Sequence, residues 1–369
     1  MRIAFYAPLK PPDHPVPSGD RRVAQLFLSA LRVAGHDVFI ASRFRSYDRH
    51  GDQQRQARVA AVGERLAARL ARRWRAAAEA APELWFTYHL YHKAPDWLGP
   101  QIADVLGIPY FLAEASDAPK QASRGWSAGR LAAAKAIRRA DAVIGLNRAD
   151  RECVLPLLQD ASRWMPFKPF LDAGFYGHRP CIKSGPPRLI TVAMMRHGDK
   201  LASYRILGDA LSRLLDLPWS LKVIGDGPAR PAVEDALYPL GERVTWAGML
   251  GTMEIAKRLA SADLYVWPAL NEAFGMALLE AQASGMPVVA GGGGGVSEIV
   301  ASGVTGLLVP PGNAAAFAEA VRSLMADPRR RAAFGEAARQ RVRDEHDLAS
   351  AARRLNAVID MVREAAARD

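Results

Sequence analysis

Short apolar runs alternate with longer amphipathic stretches along the whole chain, and the alternation is played through twice. In the first half, runs that read as buried strands fall at 2–7, 37–41, 84–88, 109–113 and 142–146. Stretches with apolar residues every three or four positions predict helices at 20–34, 54–80, 97–106, 128–139 and 148–159. The second half predicts strands at 188–195, 220–225, 243–247, 264–268, 287–290 and 306–309. Its helices are expected at 203–215, 229–237, 252–261, 274–284, 296–302, 313–326 and 329–345, with a final one over 348–366. Strand and helix in strict alternation is the pattern of parallel α/β sheets. Residues 168–187 have no period and are rich in Pro and Gly, which makes them the linker between two doubly wound domains.

Bulk properties agree. A chain of 369 residues, half of them hydrophobic, suits two domains. No run of eighteen apolar residues is present, and Met1–Ala7 is too short for a signal peptide and reads as a first strand. Cys153 and Cys181 lack metal-ligand spacing and are expected to be reduced thiols in a cytoplasmic protein. The net charge of +11 is uneven, because ten arginines lie between Arg43 and Arg75 against Asp48, Asp52 and Glu64. There Val59, Val62, Leu66 and Leu70 form a helical stripe flanked by Arg58, Arg65, Arg69 and Arg72. Two readings stay open: a helix facing its own sheet with solvated arginines, or one meeting an anionic membrane surface. No module that reads nucleic acid is recognisable.

The most informative segment is Asn271-Glu272-Ala273-Phe274-Gly275-Met276-Ala277-Leu278-Leu279-Glu280. It follows an apolar strand and places one carboxylate just before a helix and a second about two turns inside it. Helical rise separates them by roughly 10 Å. A retaining glycosidase holds its pair about 5 Å apart, so these two acids suit different parts of one extended ligand. Between them, the N–H groups of Phe274, Gly275 and Met276 offer an anion or hydroxyl site.

This segment resembles the E-x7-E signature of retaining nucleotide-sugar glycosyltransferases of the large family 4, which have the GT-B architecture of two Rossmann-like domains facing a central cleft. The resemblance covers nearly the whole chain and is specific from Arg196 to Pro311. It implies an acceptor-side domain at 1–180, a nucleotide-sugar domain at 181–346 and a C-terminal helix at 347–369 that crosses back to the first. It assigns the ribose hydroxyls to Glu280 and the transferred sugar to Glu272, with Phe274, Gly275 and Met276 on its hydroxyls or on the β-phosphate. Arg196 and Lys200 resemble the family's cation pair on the donor diphosphate, though Lys200 stands four residues after Arg196 where five is usual. Fixed cations stabilise a departing phosphate without a metal, and the chain contains no Asp-x-Asp. The turn Gly225-Asp226-Gly227 and the stretch around Met249 and Leu250 match the family's nucleobase pocket. Gly291–Gly295 is either a flexible turn near the donor or a phosphate cradle.

In the first half, Gly19 resembles the family's glycine beside the diphosphate, with Ser18 or Asp20 as plain helix caps. The family's histidine at the donor sugar and reacting centre corresponds to His89, with His92 in reserve. Glu114, Asp117 and Lys120 follow the next strand and are assigned to the acceptor by topology. The resemblance implies metal-independent transfer from a UDP-, GDP- or ADP-sugar, without a cofactor, to a cell-envelope glycan, lipid or small molecule. The setting is the cytoplasm, at the inner membrane face if the basic helix binds it. The alternatives are a non-catalytic sugar-nucleotide-binding protein and a GT-B sugar-nucleotide epimerase or phosphorylase.

Overall fold

The computed structural model describes residues 1–16, 18–121, 125–177, 185–272 and 275–368. The chain divides into two units, Met1–Lys168 with Leu348–Asp369, and Pro169–Asp347. The division falls at the start of the Pro- and Gly-rich stretch.

The apolar runs of the first unit become β1 (Arg2–Tyr6), β2 (Asp37–Ser42), β3 (Leu84–Leu90), β4 (Tyr110–Ala115), β5 (Ala142–Gly145) and β6 (Trp164–Pro166). They pair in the order β2-β1-β3-β4-β5-β6, all parallel. The second unit contains β7 (Arg188–Val192), β8 (Ser220–Ile224), β9 (Val244–Trp246), β10 (Leu264–Trp267), β11 (Val288–Gly291) and β12 (Gly306–Val309). Their order is β12-β11-β10-β7-β8-β9, again parallel. Counted from its own first strand, the second sheet runs 3-2-1-4-5-6, the order of a dinucleotide-binding Rossmann domain, and the first follows the flavodoxin-like 2-1-3-4-5 with an added edge. Helices cover both sheets, as parallel strands buried on both faces require.

Differences from the sequence reading are local and have causes. β6 was not anticipated: three residues ending in Pro166 carry almost no period. The helix expected over 148–159 stops at Val154, where Pro156 imposes a tighter turn. The helix expected from 203 begins four residues earlier, at Asp199. The one expected from 274 begins at Met276, because Gly275 is left-handed. The last turn of the 329–345 helix is π-helical over Val342–His346.

The first core is aromatic, with Phe5 stacked on Phe86 at 5.6 Å and Phe27 against Phe86 and Tyr88. Helix Leu348–Ala366 packs on this unit, where Asn356 bonds His36 Nε2 at 2.7 Å and donates to the Ala34 carbonyl at 3.1 Å. Helix Gln53–Ala76 buries Gln56, Gly63, Ala67, Ala71 and Trp74, and leaves Val62 42% exposed. Its buried stripe therefore faces its own sheet, and its arginines are solvated.

Asp96 is the hub of a buried network. It accepts from the Leu98 and Gly99 amides at 2.8 Å each, from Thr87 at 2.6 Å and from the Tyr110 hydroxyl at 3.0 Å. Trp85 completes the network by donating to Thr87 Oγ1. Burial raises the Asp96 pKa, and these four donors partly restore the charged form. Replacing it strands four buried donors, so Asp96→Ala should lose about 2–4 kcal/mol of stability, read by urea unfolding.

Candidate functional site

In an open parallel sheet, the strand pair at which the order reverses sends its following segments to opposite faces. That leaves a crevice at the strand C-terminal ends. In the second unit the pair is β7 and β10, registered through Leu189↔Leu264 and Ile190↔Tyr265. The segment after β7 carries Arg196 and Lys200, and the segment after β10 carries Glu272. Lys200 and Glu272, 72 positions apart in the sequence, are thus brought to one crevice by topology.

There Lys200 Nζ and Glu272 Oε2 form a close ion pair, with side chains 25% and 19% exposed. The ammonium lies 5.6 Å from the centre of the Trp267 ring, and the indole N–H lies 3.4 Å from the same Glu272 oxygen. Asn271 donates to Asp199 at 3.1 Å and the Leu270 amide to Ser203 at 3.1 Å, tying the β10 loop to helix Asp199–Ser212. Glu280 is 3% exposed on helix Met276–Ala283. The buried Tyr265 hydroxyl feels both carboxylates. Its pKa is raised well above 10.0, first by burial and then by the fields of Glu272 and Glu280. It also donates to the Val192 carbonyl at 3.1 Å, so it lies across the β7–β10 junction. Arg196 is exposed. Phe274 lies outside the described residues, and Gly275 and Met276 form the start of the helix.

Three loops interlock beside this point. Gly225 donates to the Gly248 carbonyl at 2.8 Å, Met195 to Asp226 at 3.0 Å and Ala229 to Met195 at 2.9 Å. Gly225 and Gly227 have φ of 148° and 153°, and a Cβ at either would collide with the Ala193 or Met195 carbonyl. These glycines let backbone pack on backbone where the resemblance places a nucleobase. Met249 projects from the rim 82% exposed, with Leu250 half-buried beside it.

The five-glycine run is a buttress. Gly295 donates to the Glu272 carbonyl at 3.0 Å, and a Cβ on left-handed Gly294 would strike that same oxygen. The run therefore fixes the backbone from which Glu272 projects.

In the first unit the order reverses between β1 and β3. Asp20, at the start of helix Gly19–Val33, lies on one side and His89, near the end of β3, on the other. His89 Nδ1 is 3.0 Å from Asp20 Oδ1, an ion-pair distance with an angle poor for a hydrogen bond. Burial lowers the imidazole pKa, but Glu114, Asp20 and Asp150 outweigh it and the net shift is upward. Asp20 is pulled below the usual carboxylate value, chiefly by His89. Glu114 is pushed up by burial, against the pull of His89. Ser18 caps the helix by accepting from the Arg21 amide at 3.2 Å, and the space above Gly19 is open.

The remaining assignments spread out. His92 packs against Trp126 and its pKa is lowered by burial. Asp117 is buried and paired with Arg130 at 2.8 Å, and Lys120 is exposed. Sequence reasoning missed the roles of Asp20 and Asp150 at His89, and that of Gly294 at Glu272. It also missed a backbone signal. The left-handed non-glycine residues among those described are His89, Glu114, Ala269 and Asn271, all at strand ends beside these two crevices.

Comparison with known proteins agrees with this geometry. Residues 187–341, all within the second unit, match the family model for glycosyl transferases group 1. The chain is 39% identical over 100 residues to an uncharacterized glycosyltransferase of Methanocaldococcus jannaschii, covering 27% of this chain and 26% of that one. It is 34% identical over 100 residues to the alpha-D-kanosaminyltransferase of Streptomyces kanamyceticus, with the same coverages of 27% and 26%. The chain thus spans about a quarter of the length of the curated relatives it matches. Among solved structures, sucrose-phosphate synthase of Thermosynechococcus elongatus superposes with a TM-score of 0.70 at 21% identity, covering 99% of this chain and 100% of that one. Anabaena HepE, solved with UDP and glucose, gives 0.68 at 16% identity, covering 98% and 99%. The fold is GT-B.

Two outcomes follow from the local geometry. Gly294→Ala should lose about 1–3 kcal/mol, since it adds a collision to a left-handed backbone. Gly303→Ala, left-handed with open space around it, should lose less, and equal losses in urea unfolding would remove the buttress. The second concerns the His89–Asp20 pair. The raised His89 pKa contributes stability that is present below 6.5 and lost as pH rises through the folded value; the depressed Asp20 pKa contributes stability lost as pH falls through its own. Asp20→Asn should therefore lower the His89 pKa, read by NMR titration of the imidazole protons.

Proposed function

We propose that the chain is a metal-independent, retaining glycosyltransferase that takes its sugar from a nucleoside-diphosphate donor. The observation that carries this reading is the Lys200–Glu272 ion pair across the β7–β10 crevice, within the segment that matches glycosyl transferases group 1, with Arg196 in the segment after β7 and Glu280 buried on the helix that follows Glu272. Breaking the C1–O bond of such a donor leaves negative charge on the β-phosphate and positive charge at C1. Arg196 and Lys200 are the cations for the first, and Glu272 is the carboxylate beside the second. Glu280, two turns along its helix, is assigned to the ribose hydroxyls. Gly225, Gly227, Met249 and Leu250 are assigned to the base, which is uracil, guanine or adenine. His89 is assigned to the sugar and reacting centre, with Glu114 beside it on the acceptor side.

The proposed acceptor is a glycan, lipid or small molecule of the cell envelope. No helix among the described residues is long and apolar enough to cross a membrane. Because the buried line of helix Gln53–Ala76 packs within its own unit while its arginines are exposed, contact with a membrane would be mainly electrostatic and weakened by salt.

With EDTA present, the purified protein should release nucleoside diphosphate from one donor class, and the first-formed product should keep the donor's anomeric configuration by NMR. Glu272→Ala should lower turnover about 100-fold or more while nucleotide binding is kept. Binding without turnover in the unsubstituted protein would mark a non-catalytic sugar-nucleotide binder.

A further inference from the structure

The Lys200–Glu272 pair has a consequence for which ligand the crevice prefers, if the glycosyltransferase reading above holds. The two side chains come from opposite sides of the β7–β10 switch point, and each is three-quarters or more shielded from solvent. Trp267 serves both at once, its ring face under the ammonium and its N–H toward the carboxylate. The pair is held from outside as well, with Gly294 and Gly295 behind the Glu272 backbone and the Asn271–Asp199 bond across the loops. In the unliganded protein the cation proposed for phosphate is thus already neutralised by the carboxylate proposed for the sugar.

A ligand that takes Lys200 must leave Glu272 a partner. A bare nucleoside diphosphate offers none. It would draw Lys200 to its phosphates and strand a half-dry carboxylate with only the Trp267 N–H, next to its own negative charge. An intact nucleotide sugar brings hydroxyl donors to that carboxylate as it takes the ammonium, so both halves of the broken pair are satisfied again. We propose that Glu272 is a specificity-determining residue that competes with phosphate for Lys200, so that the crevice favours the intact donor over the nucleoside diphosphate it becomes. The released diphosphate would then leave a site that closes on itself, which limits product inhibition.

The test is isothermal titration of UDP, GDP and ADP, and of their glucose and mannose conjugates, into the unsubstituted protein, Glu272→Gln, Lys200→Gln and the double variant. Glutamine keeps the shape of glutamate and removes the charge. Glu272→Gln should bind the matching nucleoside diphosphate about three- to tenfold more tightly, the scale of one partly shielded ion pair. Its preference for the sugar conjugate over the diphosphate should shrink by at least as much. Lys200→Gln should weaken the diphosphate, and the double variant should show no gain over Lys200→Gln, since the competition needs both partners. Unchanged or weaker diphosphate binding in Glu272→Gln would overturn the proposal, as would a gain that persists without Lys200. Thermal unfolding of each variant separates lost folding from lost binding. If the unsubstituted protein binds none of the six conjugates or three diphosphates, the glycosyltransferase reading fails as well, and the two failures are thereby told apart.

Discussion

Both candidate centres depend on one constraint of parallel sheets: the reversal of strand order. Where the order turns, two neighbouring strands deliver their following segments to opposite faces, and the backbone leaves a crevice between them. In the second unit this happens at β7 and β10, in the first at β1 and β3. Each crevice is spanned by an ion pair whose members come from its two sides, Lys200 with Glu272 and Asp20 with His89. Such pairs are costly to shield from water, and replacing buried pairs by apolar side chains is often stabilising. Their presence at the reversals, with strained backbone at the same strand ends, is better explained by chemistry than by stability.

Supporting structure holds the second crevice in shape. Glycines 225 and 227 let three loops lie against one another without side chains between them, and Gly294 with Gly295 grips the carbonyl of Glu272. Tyr265 is buried, feels the fields of both carboxylates and is hydrogen-bonded across the strand junction. Charged groups here are oriented by tightly packed backbone, the arrangement that the proposed stabilisation of developing charge requires. In the first crevice three carboxylates act on one imidazole, and they override the burial that would otherwise keep it neutral.

Much of this was legible in the residues. Continuous apolar runs marked eleven of the twelve strands among the described residues, because strands buried on both faces need no alternation to be seen. Only β6, short and ended by Pro166, gave no signal. Glu272 and Glu280 stood out by their spacing about a strand-to-helix turn. What the sequence could not supply was anything requiring strand order. The meeting of Lys200 with Glu272, 72 residues apart, depends on β7 lying beside β10. The same is true of Asp20, which reads locally as a helix cap and becomes a partner of His89 only when β1 and β3 are adjacent. The five glycines looked like a phosphate cradle or a loose turn, since a backbone collision with a distant carbonyl leaves no local trace. The basic helix shows the opposite limit: its amphipathicity was visible, but the buried line runs through Gln56, Gly63, Ala67, Ala71 and Trp74 rather than through the expected Val59, Val62, Leu66 and Leu70, because small residues that allow close packing carry little hydrophobic signal.

The most direct test of the central claim is a thermal-shift series with UDP, GDP, ADP and their common sugars in the presence of EDTA. A ligand that binds only the folded state at a hundred times its Kd stabilises by about 2.7 kcal/mol. The expected result is a rise of several degrees with one nucleotide class, undiminished by the chelator and absent in Glu280→Ala, which removes the carboxylate proposed for the ribose. No rise with any nucleotide, or a rise that survives loss of Glu280 and Lys200 alike, would contradict a donor site at the β7–β10 crevice.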